Sequence, residues 1–469
     1  MLKCLTRILA RYQLPHLRQH STNEPKPVLV GFFHPYCNAG GGGERVLWSS
    51  IKALQQRYDH VRCVVYTGDL DVSRDEILKK VKDQFNIDLP RTDPISLSFC
   101  LLQSRKLVEA SNYKIMTMLG QSTGSVLLGL EALFKFIPDV YIDSMGYAFT
   151  LPLFKYLAGC RVACYVHYPT ISSDMLQVVS NREHAHNNEQ FVSRSRFMSL
   201  CKFIYYKIFA FVYGFVGRFS DVVMVNSTWT KNHIMDIWKI QPTIVYPPCN
   251  VEEFLKIGRD VIDDDNTKYI VSIAQFRPEK DHSLQLKSFK RFLKSVETEE
   301  DECKKNELKK NIYKLVLIGS CRNEEDMQRV DRLKNLAEEL EITSSVDFKV
   351  NISFADLKEF LKKASVGLHT MWNEHFGIGI VECMAAGVVM LAHDSGGPKL
   401  DILADYEGQQ TGFLASDEVT YAEKLVEIFT SREEQLLEIK RNAKLSIMRF
   451  SDECYHANFL NATDELLGD

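Results

Sequence analysis

The chain reads as an α/β protein built from two successive Rossmann-like units, and two patterns predict this. Short, continuously apolar runs alternate with longer helix-like stretches, once from Val28 and again from Tyr269. A Pro-Pro turn at Tyr246-Pro-Pro-Cys249 divides the two series. Apolar strands without polar alternation, separated by helices, imply parallel sheets covered on both faces. A chain of 469 residues also suits two to three domains.

In the first series the strand runs are Val28–Phe33, Arg62–Tyr66, Asp139–Ile142, Arg161–His167, Asp221–Asn226 and Thr243–Tyr246. In the second they are Tyr269–Ala274, Lys314–Ile318, Val346–Lys349, Val366–His369 and Val388–Ala392. The mixed-charge stretch Glu297–Lys310 reads as a solvated helix end or loop, and the tail from about Ser431 as two helices. The expected boundaries are a basic segment over 1–25, a first domain over 26–246, a second over 247–450, and a closing helix over 451–469.

Composition narrows the function. A formal net charge of −4 gives no reason to expect nucleic acid as a partner. Twelve cysteines without a CxxC pair argue against a zinc site or disulfide scaffold and suit a reducing compartment. The sequons at Asn226, Asn351 and Asn461 then read as chance matches. The first twenty residues carry Lys3, Arg7, Arg11 and Arg18, with Leu2, Leu5, Ile8, Leu9 and Tyr12 at helical spacing. Three readings stand for it: an interfacial membrane anchor, a mitochondrial transit peptide, or a disordered tail. Phe203–Phe219 is aromatic-rich and basic at its flanks; it suits either a buried core helix or a helix lying on a bilayer. Leu119–Pro138 poses the same choice more weakly.

Four places hold residue types suited to a phosphate-bearing ligand. The first is Gly40, Gly41, Gly42 and Gly43, followed by Glu44 and Arg45, between the first strand and a helix. Glycines there let backbone N–H groups approach a ligand at a helix N-terminus. It is neither a Walker A loop nor a dinucleotide fingerprint; a flexible turn is the bland alternative. The second is Arg277-Pro-Glu-Lys280 beyond a strand end, where an Arg fork and a Lys point charge suit phosphate, unless both are merely solvated. The third is Asn373 to Gly387, with Glu374 and Glu382 eight positions apart and a helix starting at about Gly377–Gly379. Glu382 falls one turn inside that helix among small apolar residues, where it needs a donor such as ribose hydroxyls or a local salt bridge. The fourth is His167 at the end of a strand; a lone histidine is more often structural.

E-x7-E followed by A-x-G, preceded by Arg-x-x-Lys and a Gly-Gly-x-Glu-Arg-type loop, resembles glycosyltransferase family 4, over nearly the whole chain from Val28. The resemblance implies the GT-B fold, with two Rossmann-like domains facing across a cleft and a last helix, within about Ser451–Leu467, returning to the first domain. Longer phrases, among them NAGGGGERVLW, YVHYPTIS, QFRPEKDH and NEHFGIGIVECMAAG, are closer still to one branch. That branch transfers mannose from GDP-mannose to dolichol-pyrophosphate-linked Man3GlcNAc2 on the cytosolic face of the endoplasmic reticulum, beside other mannosyltransferases of its pathway. The resemblance further implies that Arg277 and Lys280 hold the donor diphosphate, Glu374 contacts its sugar, and Glu382 holds the ribose. Backbone at Phe376, Gly377 and Ile378 meets phosphate, while His167 and Gly40–Gly43 lie near the donor sugar and acceptor. Two departures stand out: the transmembrane helix expected near the N-terminus of such an enzyme is replaced by the short basic segment, and Lys399-Leu-Asp401 follows Gly396-Gly397-Pro398 where many relatives have an acid sooner. No DxD pair stands beside the site, since Asp263–Asp265 reads as a polar surface loop, so the reaction is expected to need no metal. Two rivals are kept: a family-4 enzyme with another nucleotide sugar and acceptor, and a non-catalytic phosphate- or glycan-binding protein at the membrane periphery.

Overall fold

The computed structural model describes residues 15–19, 25–175, 196–258 and 266–468. The proposed amphipathic helix around residues 2–12 and the Asp263–Asp265 loop lie outside the described residues. Arg18, counted with the basic segment, has a structural task instead: it donates to the Ile137 carbonyl at 2.8 Å and pairs with Asp139 at 3.5 Å.

Two compact units form, residues 1–248 with 453–469, and residues 249–452. The first carries a seven-stranded sheet. Its strands are β1 (Val28–Phe33), β2 (Val61–Thr67), β3 (Leu97–Leu101), β4 (Val140–Asp143), β5 (Arg161–Val166), β6 (Val222–Val225) and β7 (Thr243–Ile244). The second carries six: β8 (Thr267–Ile273), β9 (Ile312–Gly319), β10 (Val346–Val350), β11 (Ala364–Leu368), β12 (Val389–His393) and β13 (Phe413–Ala415). The orders are β3-β2-β1-β4-β5-β6-β7 and β10-β9-β8-β11-β12-β13, and every paired ladder is parallel.

Five helices matter below: α1 (Gly42–Arg57), α2 (Thr117–Lys135), α3 (Arg196–Gly217), α4 (Ile378–Ala385) and α5 (Asp452–Leu467). The apolar strand runs are explained by which side each residue faces. Along β1, Leu29 and Phe33 enter one hydrophobic cluster while Val30 and Phe32 enter the other, on the opposite face. Period-two geometry with both faces buried leaves no position for a polar residue. The strands absent from the expectation are edges. β3 is only partly buried, and β13 is three residues long, so neither makes a long apolar run. The Glu297–Lys310 stretch is more ordered than a loop: the helix His282–Thr298 ends there, and Asp301 caps a second short helix, Glu302–Lys309.

The closing helix completes the first unit. Tyr455, Phe459, Leu466 and Leu467 are buried in the same cluster as Val46, Trp48 and Tyr165. The Tyr455 hydroxyl lies 2.6 Å from Ser50 Oγ on α1. Removing the buried Phe459 ring by Phe459→Ala should therefore lower the unfolding free energy of the first unit by about 3–5 kcal/mol. Urea unfolding followed by a first-unit tryptophan signal measures this, and an unchanged midpoint would mean that α5 is not docked.

Helix α3 divides unevenly. Tyr206, Phe209, Tyr213 and Val216 are buried, whereas Leu200, Ile204, Ile208, Phe211 and Phe215 form an exposed apolar stripe. Among the described residues, Leu200–Gly217 is the one stretch long and apolar enough to cross a membrane, with mean hydropathy 1.3 and 39% of it buried. The core reading of this segment accounts for one face only.

Candidate active site

In the second unit the chemistry gathers at the carboxyl edge of the sheet, where the loops after β8, β11 and β12 emerge. Arg277 and Lys280 follow β8; Lys280 closes the short turn Pro278–Lys280, and Asp281, at φ 45°, caps the next helix by accepting from Leu284 N–H at 3.1 Å. Thr370, just beyond β11, donates its hydroxyl toward the Lys280 and Asp281 carbonyls at 2.9 and 3.0 Å. That hydroxyl in turn accepts from Gln285 Nε2 at 2.9 Å. The loop bearing Lys280 is thus pinned to the loop bearing Glu374.

Lys280 Nζ donates to Glu374 Oε2, and both side chains are mostly buried, at 20% and 13% exposure. His369 Nε2 lies 3.3 Å from the same oxygen. Burial alone would raise the Glu374 carboxyl, but the charges of Lys280 and then His369 overcome it and hold it well below the ordinary carboxylate range. Glu374 is therefore an ionised acceptor at neutral pH and not a proton donor. Burial, then His369 and Lys280, push His282 down to about 4, so it stays neutral, stacked on Phe276 at 4.9 Å between centroids. Arg277 lies 3.7 Å from Glu279, and its buried Nε has no hydrogen-bond partner. A guanidinium with an unsatisfied inner donor suits a further anion.

The Glu374 backbone is held by the loop after β12. Gly397 N–H donates to the Glu374 carbonyl at 2.8 Å, and Asn373 N–H to Ser395 Oγ at 2.8 Å. Gly396, at φ 59°, packs so close that a Cβ there would sit 2.3 Å from the Glu374 carbonyl oxygen. No other residue type fits. Helix α4 then starts after Gly377, with Phe376 buried and its first turn free of acids. Glu382 is half-buried one turn in; burial, and then the Glu382 charge, raise the neighbouring Cys383 thiol. Among the described residues no three His, Cys, Asp or Glu side chains cluster as a metal site.

The first unit brings His167 and the glycine loop together. A Cβ on Gly43 would lie 3.5 Å from His167 Nε2. The sequence reading missed what holds them. Glu44 Oε2 accepts the Gly41 N–H, and its Oε1 lies 3.2 Å from His34 Nε2. His34 Nδ1 lies 2.9 Å from Ser144 Oγ, and the Ser144 carbonyl accepts from His167 Nε2 at 3.1 Å. Because a carbonyl only accepts, His167 Nε2 carries a proton in this contact. Burial raises the Glu44 carboxyl, but His34 and the Gly41 N–H outweigh it and leave the carboxyl below its ordinary value. Beneath this turn, burial pushes Asp143 up to about 7 despite backbone donors from Met145 and Gly146. Arg45, part of the recognised loop, is buried and structural, donating to the Pro248 and Phe85 carbonyls at 3.0 and 2.8 Å.

Two parallel Rossmann-like sheets, with Arg, Lys and Glu at the carboxyl edge of the second, define a GT-B glycosyltransferase. The fold is that of a Rickettsia africae glycosyltransferase (TM-score 0.60, 13% identity, 94% of this chain and 99% of that one). It is also that of Anabaena HepE in complex with UDP and glucose (TM-score 0.58, 14% identity, 93% and 99%). Residues 27–238 match the model of the ALG11 mannosyltransferase N-terminus, and 256–446 that of glycosyl transferases group 1. The mouse GDP-Man:Man(3)GlcNAc(2)-PP-Dol alpha-1,2-mannosyltransferase is 54% identical over 449 residues, 95% of this chain and 89% of the relative. The human protein of the same name is 51% identical over 448 residues, covering 95% and 88%. The chain belongs to this family of alpha-1,2-mannosyltransferases and is a glycosyltransferase.

The Lys280–Glu374 pair predicts a pH signature. A carboxyl depressed in the folded state stabilises above its unfolded pKa, and that stability fades as pH falls through the folded value. Lys280→Met should cost the second unit about 3 kcal/mol at pH 7, by leaving a buried charge unpaired. The deficit should shrink as pH falls, because the carboxyl left without Lys280, raised by burial, takes up a proton in the folded state before the paired one does. Urea unfolding at pH 7 and pH 4 reads it; an equal loss at both would remove the electrostatic account.

Proposed function

We propose that the chain transfers mannose from GDP-mannose, in alpha-1,2 linkage and with retention, to dolichol-pyrophosphate-linked Man3GlcNAc2, giving Man4 and then Man5. The observation that carries this reading is the convergence of Arg277, Lys280, ionised Glu374 and the α4 start on one edge of one sheet. Arg277 and Lys280 take the donor diphosphate, with the N–H groups at Phe376, Gly377 and Ile378 and the α4 dipole adding positive potential. No metal ion is needed in this scheme. Glu374, which only accepts hydrogen bonds, holds sugar hydroxyls, and Glu382 takes the ribose. His167 and Gly40–Gly43 are the first unit's contribution to the donor sugar and acceptor.

The acceptor 2-hydroxyl oxygen bonds to the anomeric carbon on the face from which the phosphate leaves. The carbon–oxygen bond to the β-phosphate breaks, and the hydroxyl proton passes to the departing phosphate oxygen. Charge grows on the diphosphate as that bond lengthens, so the cations act where the transition state differs most from bound donor.

The enzyme works, in this reading, on the cytosolic face of the endoplasmic reticulum membrane, beside other mannosyltransferases of the pathway. The exposed stripe of α3, without an acid along the helix and with Lys202 and Lys207 beside it, supports contact with a bilayer.

A donor panel tests the specificity: radiolabelled GDP-mannose, UDP-glucose and UDP-GlcNAc against dolichol-pyrophosphate Man3GlcNAc2. Mannose transfer alone is expected, and transfer only from a UDP-sugar would overturn the donor assignment. Arg277→Ala or Lys280→Ala should each cost on the order of 3 kcal/mol in transition-state stabilisation, seen in kcat/KM. Turnover near the parent level in either would end its assignment to the diphosphate.

A further inference from the structure

Beside the exposed stripe of α3 lies a groove of about 470 Å3. Its walls are Met116 and Leu119 at the start of α2, Phe149, and Ile204, Ile208 and Val212 of α3. A volume of this size is in the range of about 300–1,000 Å3 typical of ligand pockets. We propose that this groove binds a stretch of the acceptor's polyisoprenoid chain, an inference that rests on the lipid-linked acceptor proposed above.

Four observations favour a chain as the occupant. The wall is apolar almost throughout, and the hydroxyl of Tyr205, which lines it, accepts the Leu119 N–H at 3.1 Å. Its lining residues are themselves half open to solvent: Met116 is 49% exposed, Leu119 46%, Ile204 48% and Ile208 60%. Apolar surface exposed to water is costly. The groove is also concave and shares Ile204 and Ile208 with the exposed stripe that holds Leu200, Phe211 and Phe215. A bilayer surface meets a flat or convex stripe, whereas a single flexible chain fills a channel. The charges nearby suit an anionic lipid: Lys114 is exposed next to the groove-lining start of α2, Lys202 and Lys207 sit on α3, and α3 carries no acid. A chain leaving the bilayer along α3 would therefore keep its carbon in carbon and its diphosphate end among cations.

The test uses the full chain in detergent with a diazirine-bearing farnesyl diphosphate probe. Crosslinks are expected on peptides holding Met116, Leu119, Ile204 or Ile208, and polyprenyl diphosphate should displace them where phosphatidylcholine does not. Label spread over Phe211 and Phe215, or equal displacement by phosphatidylcholine, would overturn the proposal in favour of plain bilayer contact. Val212→Trp and Leu119→Trp fill the groove while keeping it apolar; displacing about two methylenes of chain should cut labelling about tenfold. Leu437→Trp, on the second unit, should leave it unchanged. In a kinetic arm the two filling variants should raise KM for the dolichol acceptor about tenfold, with donor KM and kcat unchanged. They should have no effect on an acceptor bearing a single isoprene unit, and equal effects on both acceptors would sink the groove. Flotation of Val212→Trp on isoprenoid-free vesicles should match the parent chain, and a parallel loss would also count against it. Failure of mannose transfer by the parent chain would remove the proposed function, while the crosslinking arm still decides the groove.

Discussion

Parallel pairing makes each strand hand the chain back through a crossover, so all strand ends of one sense share one edge of the sheet. Both sheets obey this at every ladder. The consequence is crowding: loops separated by about a hundred residues in sequence must share a few ångströms at that edge. In the second unit this brings Lys280, Thr370, Glu374 and Gly397 together, and in the first unit His34, Glu44, Ser144 and His167. Each loop is short of room, and the places where backbone meets backbone are the ones that require glycine.

The two clusters solve different electrostatic problems with the same means. Glu374 and Glu44 are both carboxylates taken largely out of water, and each stays ionised because a basic side chain and well-placed donors exceed the desolvation cost. Around Glu374 the partner is the mostly buried ammonium of Lys280, with His369 beside it. Around Glu44 the partners are a buried imidazole and a backbone amide, and the carboxylate spends its capacity on shaping the glycine loop. Asp143 shows the opposite outcome: with backbone donors but no cation its carboxyl is pushed up to about 7.

Much of this was legible in the sequence, and the gaps have physical causes. Interior strands are apolar on both faces, so Val28–Phe33 and Lys314–Ile318 announce themselves, while the edges Leu97–Leu101 and Phe413–Ala415, half-solvated or very short, do not. Arg277, Lys280, Glu374 and Glu382 stand out in sequence because each sits in its own local pattern, while the pairing of Lys280 with Glu374 is seen only in the fold. The roles of His34 and Ser144 were not, because their link spans 110 residues and depends on β1 and β4 being neighbours. Nor does composition tell which side of α3 faces inward; that needed the positions of Tyr213 and Trp238, whose rings meet at 5.3 Å.

The first unit is discontinuous in sequence, since residues 453–469 close a core begun at residue 28. During synthesis the cluster around Trp48 and Tyr165 must wait, one side uncovered, until all 204 residues from 249 to 452 have left the ribosome. At about 5–20 residues per second that interval lasts on the order of 10–40 seconds. A nascent chain of this kind is exposed to chaperones for longer than one whose domains finish in order. A message broken late in the reading frame would yield a protein with an intact second unit and an unsealed first.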